Sequence, residues 1–143
     1  MPHPVYIALP HSHWIQTMLR CVLFVFLVIA AALPVAAEPN RNFTDKALRG
    51  EISFQQPPQV LLNGSAARLA PGARIRGEDN LLKMSATLVG QRFVAFYTLD
   101  SNGQLQDVWV LSAQERARSP WPTTPAQAQT WSFDVNAQRW TKP

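Results

Sequence analysis

The stretch "RFVAFYTLDSNGQLQDVWVL", Arg92 to Leu111, constrains the fold of this chain more than any other. In its first half Phe93, Ala95, Tyr97 and Leu99 fall on one face of a strand, and Val94 and Phe96 on the other. In its second half Val108 and Val110 oppose Trp109 and Leu111. Asp100-Ser101-Asn102-Gly103 joins the halves with residues that favour a hairpin turn. A hairpin that is apolar on both faces cannot leave one of them in water, so it must lie at the centre of the domain or be covered on both sides.

The flanking segments alternate. Leu48, Gly50, Ile52 and Phe54 share one face and Arg49, Glu51 and Ser53 the other, the signature of a half-buried strand that Pro57-Pro58 ends. Val60 to Leu62 reads as a second strand, Asn63-Gly64 as its turn and Ala66 to Leu69 as the return. Pro71-Gly72 reads as another turn, residues 73–76 as a short strand, 77–80 as a loop, and 81–88 as a weakly alternating strand. Ser112-Ala113-Gln114-Glu115 is a capping box and predicts a helix of one or two turns to about Ala117. "SPWPTTP" at 119–125 is expected to be extended, with a last hairpin from 130–134 and 139–140. The expected fold is mainly β: a small single-domain β-barrel or sandwich of about six or seven short antiparallel strands, with one short helix near 112–117. A linker at 38–46, a β-domain at 47–118 and a Pro/Trp-rich segment at 119–143 complete the organisation, the tryptophans of that segment covering the outer face of the central hairpin.

Ahead of this domain stands "MLRCVLFVFLVIAAALPVAAE", Met18 to Glu38. Arg20 supplies a positive start, Cys21 to Leu33 an uncharged apolar run of 13 residues, Pro34 a helix break, and Val35-Ala36-Ala37 the small residues that a signal peptidase reads. Residues 1–37 are therefore expected to be a signal segment, cut between Ala37 and Glu38. A membrane-spanning helix needs about 20 apolar residues, and Cys21 to Ala37 provides 17. If cleavage fails, the same segment is an anchor, and Arg20 still directs the rest of the chain across the membrane. Residues 1–17 contain no Lys or Arg and three prolines, so Met18 suits a signal better as the start of translation.

The residues after Ala37 exclude several chemistries. The lone cysteine is Cys21 and the histidines are His3, His11 and His13, so residues 38–143 hold neither type. Disulfides, Cys/His metal sites, Cys-His and Ser-His-Asp nucleophiles and haem ligation by His are all ruled out there. The His11-x-His13 pair belongs to the leader, and no cofactor or metal is expected. Residues 38–143 carry twelve basic and nine acidic side chains, a net charge of +3, too dilute for a nucleic-acid binder.

The remaining candidates are binding residues. Gly72 and Gly77 have the spacing of a phosphate loop, but Glu78 stands where that motif needs Lys, and its charge would repel a phosphate. Arg74 and Arg76 share a strand face and Arg68 lies on the neighbouring segment, so the three could hold an anion through bidentate hydrogen bonds. The alternative is a solvated face paired with Glu51, Glu78 or Asp79. Tyr97, Trp109, Trp121, Trp131 and Trp140 are either a stacking surface for sugars or proline-rich peptides, or the core of a domain poor in Leu and Ile. The carboxylates Glu51, Glu78, Asp79, Asp100, Asp107, Glu115 and Asp134 show no spacing that selects a catalytic pair.

Leu48 to Glu115 resembles a family of exported proteins of Gram-negative bacteria to which no activity is assigned. The likeness lies in the segments "LNG..ARLAPGARIRG" and "DVWVL". The resemblance implies a periplasmic location and brings no reaction. The expectation is a small exported domain that acts by binding and not as an enzyme, an envelope accessory or assembly factor with an envelope protein as partner. The second reading is a binder of an anionic or sugar-containing envelope polymer through arginines and aromatics. The third is a small carboxylate-dependent hydrolase.

Overall fold

The computed structural model describes residues 1–5 and 40–143. The chain divides into two units, Met1–Ala37 and Glu38–Pro143. Of the first, the described residues 1–5 are irregular and exposed. The expected signal segment, its cut at Ala37/Glu38 and the His11/His13 pair lie outside the described residues.

The second unit is mainly β, as its alternation requires. Its strands are β1 (Leu48–Gln56), β2 (Gln59–Leu62), β3 (Ser65–Arg76), β4 (Leu82–Lys83), β5 (Arg92–Leu99), β6 (Leu105–Val110), β7 (Ser132–Asp134) and β8 (Arg139–Thr141). Its helices are α1 (Ala113–Arg116) and α2 (Pro125–Thr130). The large sheet runs β2-β1-β5-β6-β3-β4, and β2 also pairs with β3. That extra pairing closes β1, β2, β3, β6 and β5 into a five-stranded barrel. All its pairings are antiparallel except β3 with β6, which is parallel. This is the strand order of the OB-type Greek-key barrel. The topology assigns no ligand by itself.

β1 serves both halves of the barrel, pairing with β5 over residues 48–53 and with β2 over 52–56. The strand can do this because Gly50 has no side chain. A Cβ there would stand 3.0 Å from both Leu62 Cδ1 and Tyr97 Cε1, closer than the neighbours allow without moving. The barrel interior is filled from one face of each barrel strand. Leu48, Ile52, Phe54, Val60, Leu69, Ile75, Ala95, Tyr97, Leu105 and Val108 are buried together, and Leu88 closes one end from a single 3₁₀ turn, Ser85–Leu88.

The other faces of β5 and β6 carry a second core, so the central hairpin is covered on both sides. Phe43, Ala47, Phe96, Leu111, Trp121 and Trp140 are buried there, with Val94, Trp109, Trp131 and Phe133 packed against them. Phe96 stacks on Trp121 at 3.9 Å between ring centroids and meets Phe43 edge-on at 4.8 Å. The backbone of this layer is tied to the barrel, Arg49 N–H donating to Pro122 O at 2.8 Å and Trp121 Nε1 to Ala47 O at 2.8 Å.

Four expectations need correction. Pro71-Gly72 is not a chain reversal. β3 runs through it as one 12-residue strand, because Gly72 takes φ +75° and absorbs a bulge. The strands are not all antiparallel, since reading hairpins pairs only consecutive strands and misses the return of β6 beside β3. Residues 81–88 form the two-residue β4 and the 3₁₀ turn, not a strand. Residues 119–125 lead into a second helix, for which Thr124 accepts a cap bond from Gln127 N–H and Pro125 stands in the first turn.

Arg41 and Phe43 are 5% and 3% exposed, so residues 40–46 are not a loose linker. Trp121 and Trp140 share one core with Phe96 of β5, and residues 132–141 form the hairpin β7–β8. Arg41 is buried because its partners are. Its Nε donates to Glu115 Oε1 at 2.9 Å, Nη1 to Gly77 O at 2.7 Å and Nη2 to Val110 O at 2.7 Å, and Nη2 also pairs with Glu115 Oε2. Those partners lie 36 to 74 residues away, beyond the reach of any local pattern.

A candidate ligand cleft

The arginines selected from the sequence come out unequal. Arg74 is held by Asp107, Nε to Oδ1 at 2.7 Å and Nη2 to Oδ2 at 3.1 Å, and Asp107 also accepts from the Thr98 hydroxyl at 3.3 Å. These hydrogen bonds, and then the carboxylate charge, raise Arg74 further above its ordinary value. Arg76 faces Trp109 across the β3–β6 register and reaches only Asn80 O, at 3.5 Å. Arg68 is exposed opposite Gln59, before the bulge. Arg74 and Arg76 do share a sheet face as expected, but Asp107 already provides the anion for Arg74.

The carboxylates are engaged as well. Asp79 pairs with Lys83 at 2.8 Å, Glu51 with Arg92 at 3.5 Å and Glu78 with Arg116 at 3.6 Å. The Lys83 hydrogen bond and the Leu81 N–H hold Asp79 below its usual range. Among the described residues no group of three or more His, Cys, Asp or Glu is placed to hold a metal ion, and no helix is long and apolar enough to cross a membrane.

A different set of residues lines a concavity. Three segments meet there: 40–42, 114–121 and 136–141. They enclose a cleft of about 610 Å³, whose lining includes the side-chain amides of Asn40, Asn42, Gln114, Asn136 and Gln138 and the cations Arg118 and Arg139. No carboxylate among the described residues lines it.

Each segment is positioned by a bond already set in the outer core. The first is pinned by Arg41 on Glu115 and by Gln138, whose Oε1 accepts from Phe43 N–H at 2.7 Å while its Nε2 donates to Val135 O at 2.8 Å. The second begins at the capping box, in which Ser112 N–H donates to Glu115 Oε2 at 3.0 Å and Ser112 Oγ accepts from Glu115 N–H. Arg49 then anchors its end, donating to Arg116 O at 2.9 Å and Arg118 O at 3.0 Å. The third is β8, whose Trp140 packs on Phe133 at 4.9 Å.

Two donors on the lining residues have no hydrogen-bond partner among the described residues: Arg118 Nη1 and Trp140 Nε1. Trp140 is 4% exposed. A buried donor left unpaired costs about 1–3 kcal/mol, and buried polar groups are rarely left so. Arg118 is otherwise held in place, its guanidinium 5.6 Å from the Phe43 ring centroid and its Nη2 3.4 Å from Asn40 Oδ1. The cleft lining is thus rich in side-chain amides and carries two cations, and two of its residues hold a buried donor without a partner. Burial pushes the Glu115 carboxyl up, but the Arg41 hydrogen bond, the Ser112 N–H and the charges of Arg41 and Arg118 outweigh it, so Glu115 lies below its ordinary value and stays charged.

Sequence reasoning misses the cleft because its residues are Asn, Gln and Arg from three distant segments, types that read as solvated loops. Only the capping box gives a local sign, and it marks a helix start, not a site. The chain matches no protein-family model, no curated protein sequence and no solved structure.

Proposed function

We propose that this is an exported binding domain of the bacterial envelope, and that it takes an anionic saccharide of an envelope polymer in the cleft between residues 40–42, 114–121 and 136–141. The observation that carries the reading is the lining itself, two arginines and five side-chain amides with no carboxylate among the described residues. Amides present a donor and an acceptor side by side, which suits hydroxyl-rich ligands. Arginine suits a sugar carboxylate or phosphate, which it holds bidentately. The signal pattern ending at Ala37 and the resemblance to exported proteins support the periplasmic location, and the chain acts by binding with no chemical step.

The test is calorimetric titration of the purified protein with uronic-acid oligosaccharides and their neutral counterparts. The acidic series binds and the neutral series binds more weakly. Arg118→Ala weakens the acidic series by at least about tenfold, the loss of one charge-assisted hydrogen bond worth about 1.5–3 kcal/mol. Equal affinity for both series, or an unchanged Arg118→Ala variant, contradicts the reading.

A further inference from the structure

The connection from β3 to β5 carries apolar side chains that neither core uses. Of the six large apolar side chains exposed among residues 40–143, four stand on it: Leu81, Leu82, Met84 and Val89, which are 64%, 63%, 73% and 49% exposed. None of them lines the cleft. The backbone that presents them is held in place. Gly77 N–H donates to Leu81 O at 2.9 Å, Leu81 N–H to Asp79 Oδ1 at 3.0 Å, and the Thr87 hydroxyl to Met84 O at 2.8 Å. At the far end Gly90 N–H donates to Phe54 O at 2.7 Å, and Leu88 is buried in the barrel. Exposed apolar patches on an ordered scaffold mark contact with a protein or a membrane.

Two features choose between these. Leu81 and Leu82 are successive residues at the sheet edge, so their side chains point to opposite sides, and both are exposed. A protein surface covers one side of such an edge, whereas acyl chains surround it. The four exposed side chains also include no aromatic, and Leu and Val are poor anchors in protein interfaces. The charge beside them is positive. Arg76 pairs in register with Leu82 and reaches only Asn80 O, at 3.5 Å. The nearby carboxylates are engaged elsewhere, Asp79 by Lys83, Glu78 by Arg116 and Asp107 by Arg74. Arg76 is therefore a cation with no carboxylate among the described residues, next to apolar side chains in water. An anionic lipid layer offers both complements, phosphate above and acyl chain below.

We propose that this connection is a membrane-surface contact: Leu81, Leu82 and Met84 enter the acyl region of an anionic lipid layer, and Arg76 holds a headgroup phosphate. The contact is peripheral and reversible, because a few side chains enter the layer and no element crosses it. It uses no residue of the cleft, so it stands or falls apart from the saccharide reading. Of the arginines selected from the sequence, Arg76 then has a ligand of its own, while Arg74 serves Asp107.

The test follows the methyl signal of Met84, the only methionine after Met18, by nuclear magnetic resonance of the purified protein with bicelles. The bicelles contain phosphatidylglycerol and phosphatidylcholine, or phosphatidylcholine alone, with and without a lipid spin-labelled in its acyl chain. The signal is assigned by its loss in Met84→Leu. In anionic bicelles the spin label broadens the Met84 methyl beyond detection, and unlabelled bicelles do not. Leu82→Glu, changed at an exposed position, keeps its circular dichroism and weakens bicelle binding at least about tenfold. Arg76→Gln weakens binding to anionic bicelles about fivefold, the share of one surface cation, and leaves binding to phosphatidylcholine unchanged. A Met84 methyl that the spin label leaves sharp, or a Leu82→Glu variant that binds as the parent does, overturns the proposal. So does a lipid-free dimer of the parent, seen by analytical ultracentrifugation and abolished by Leu82→Glu, which would assign the connection to a second copy.

Discussion

The two cores of the domain lie back to back on one hairpin and are built differently. The barrel interior is mostly aliphatic, drawn from strands whose alternation is local. The outer core is aromatic, gathered from residues 43–47, 94–111 and 121–140, and is locked by buried polar groups: Arg41, Ser112, Glu115 and Gln138. The first depends on packing, which tolerates substitutions of similar volume. The second depends on an ion pair whose halves cannot be removed singly without stranding a buried charge. The cleft is built from the outer layer, so the part of the molecule that most needs its polar partners is the part that lines the proposed ligand site.

The largest effects test whether the layers are one unit. Phe54→Ala empties the barrel and Phe96→Ala empties the outer core, and each should cost about 3–5 kcal/mol, the range for truncating a buried Phe. Trp109, Trp121, Trp131 and Trp140 all lie in or against the outer core, so tryptophan fluorescence reports that layer and far-ultraviolet circular dichroism reports mainly the barrel. The shared hairpin predicts coincident denaturant transitions by both probes in the parent and in both variants. Separated transitions would divide the domain into two.

Arg41→Ala sharpens the comparison next. It leaves Glu115 buried without its cation and should cost about 3–5 kcal/mol. Replacing Arg41 and Glu115 together by apolar residues should recover part of that loss, which a double-mutant cycle measures. An additive cycle would mean that the two side chains do not act as a pair.

Acid should act on the outer layer through the same carboxyl. Its native value is lowered, so it contributes stability at pH values above its ordinary 4.5, and that contribution is lost as pH falls through the lowered native value. In Glu115→Gln the denaturant midpoint should fall less between pH 6 and pH 3 (both roughly chosen to bracket the titration) than in the parent. Equal falls would show that other carboxylates control acid unfolding. The smallest effect belongs to Arg74→Ala. The Arg74 end of its ion pair with Asp107 is exposed, so the unfolding midpoint should barely move.

The barrel is legible in the sequence to the extent that it obeys local rules. The alternation of Leu48, Ile52 and Phe54, the turn at Asn63-Gly64 and the two-faced hairpin each follow from residues within one strand length. β3 reads as two strands because Pro71-Gly72 has turn composition, and a bulge with φ +75° at the same glycine satisfies that composition without reversing the chain. The outer core is legible only as a surplus of tryptophan that has to cover the hairpin. Which residues complete it is not, because Arg41 finds Glu115 across 74 positions and Gln138 finds Phe43 across 95. Arg68, Arg74 and Arg76 stand out because charge on a strand is visible in one dimension. Arg118 does not, and Trp140 stands out only as one aromatic among several, because an unpaired buried donor exists only once the chain has folded around it.

The most direct measurement is a nuclear magnetic resonance titration of the purified protein with a uronic-acid oligosaccharide, following the indole and guanidinium N–H signals. The Trp140 indole N–H and the Arg118 guanidinium signals should shift together along one saturation curve. The Trp109 indole and the side chains of Arg68, Arg74 and Arg76 should not respond. Shifts confined to those three arginines, with Trp140 and Arg118 still, would place the ligand on the β3 face and contradict the assignment of the cleft.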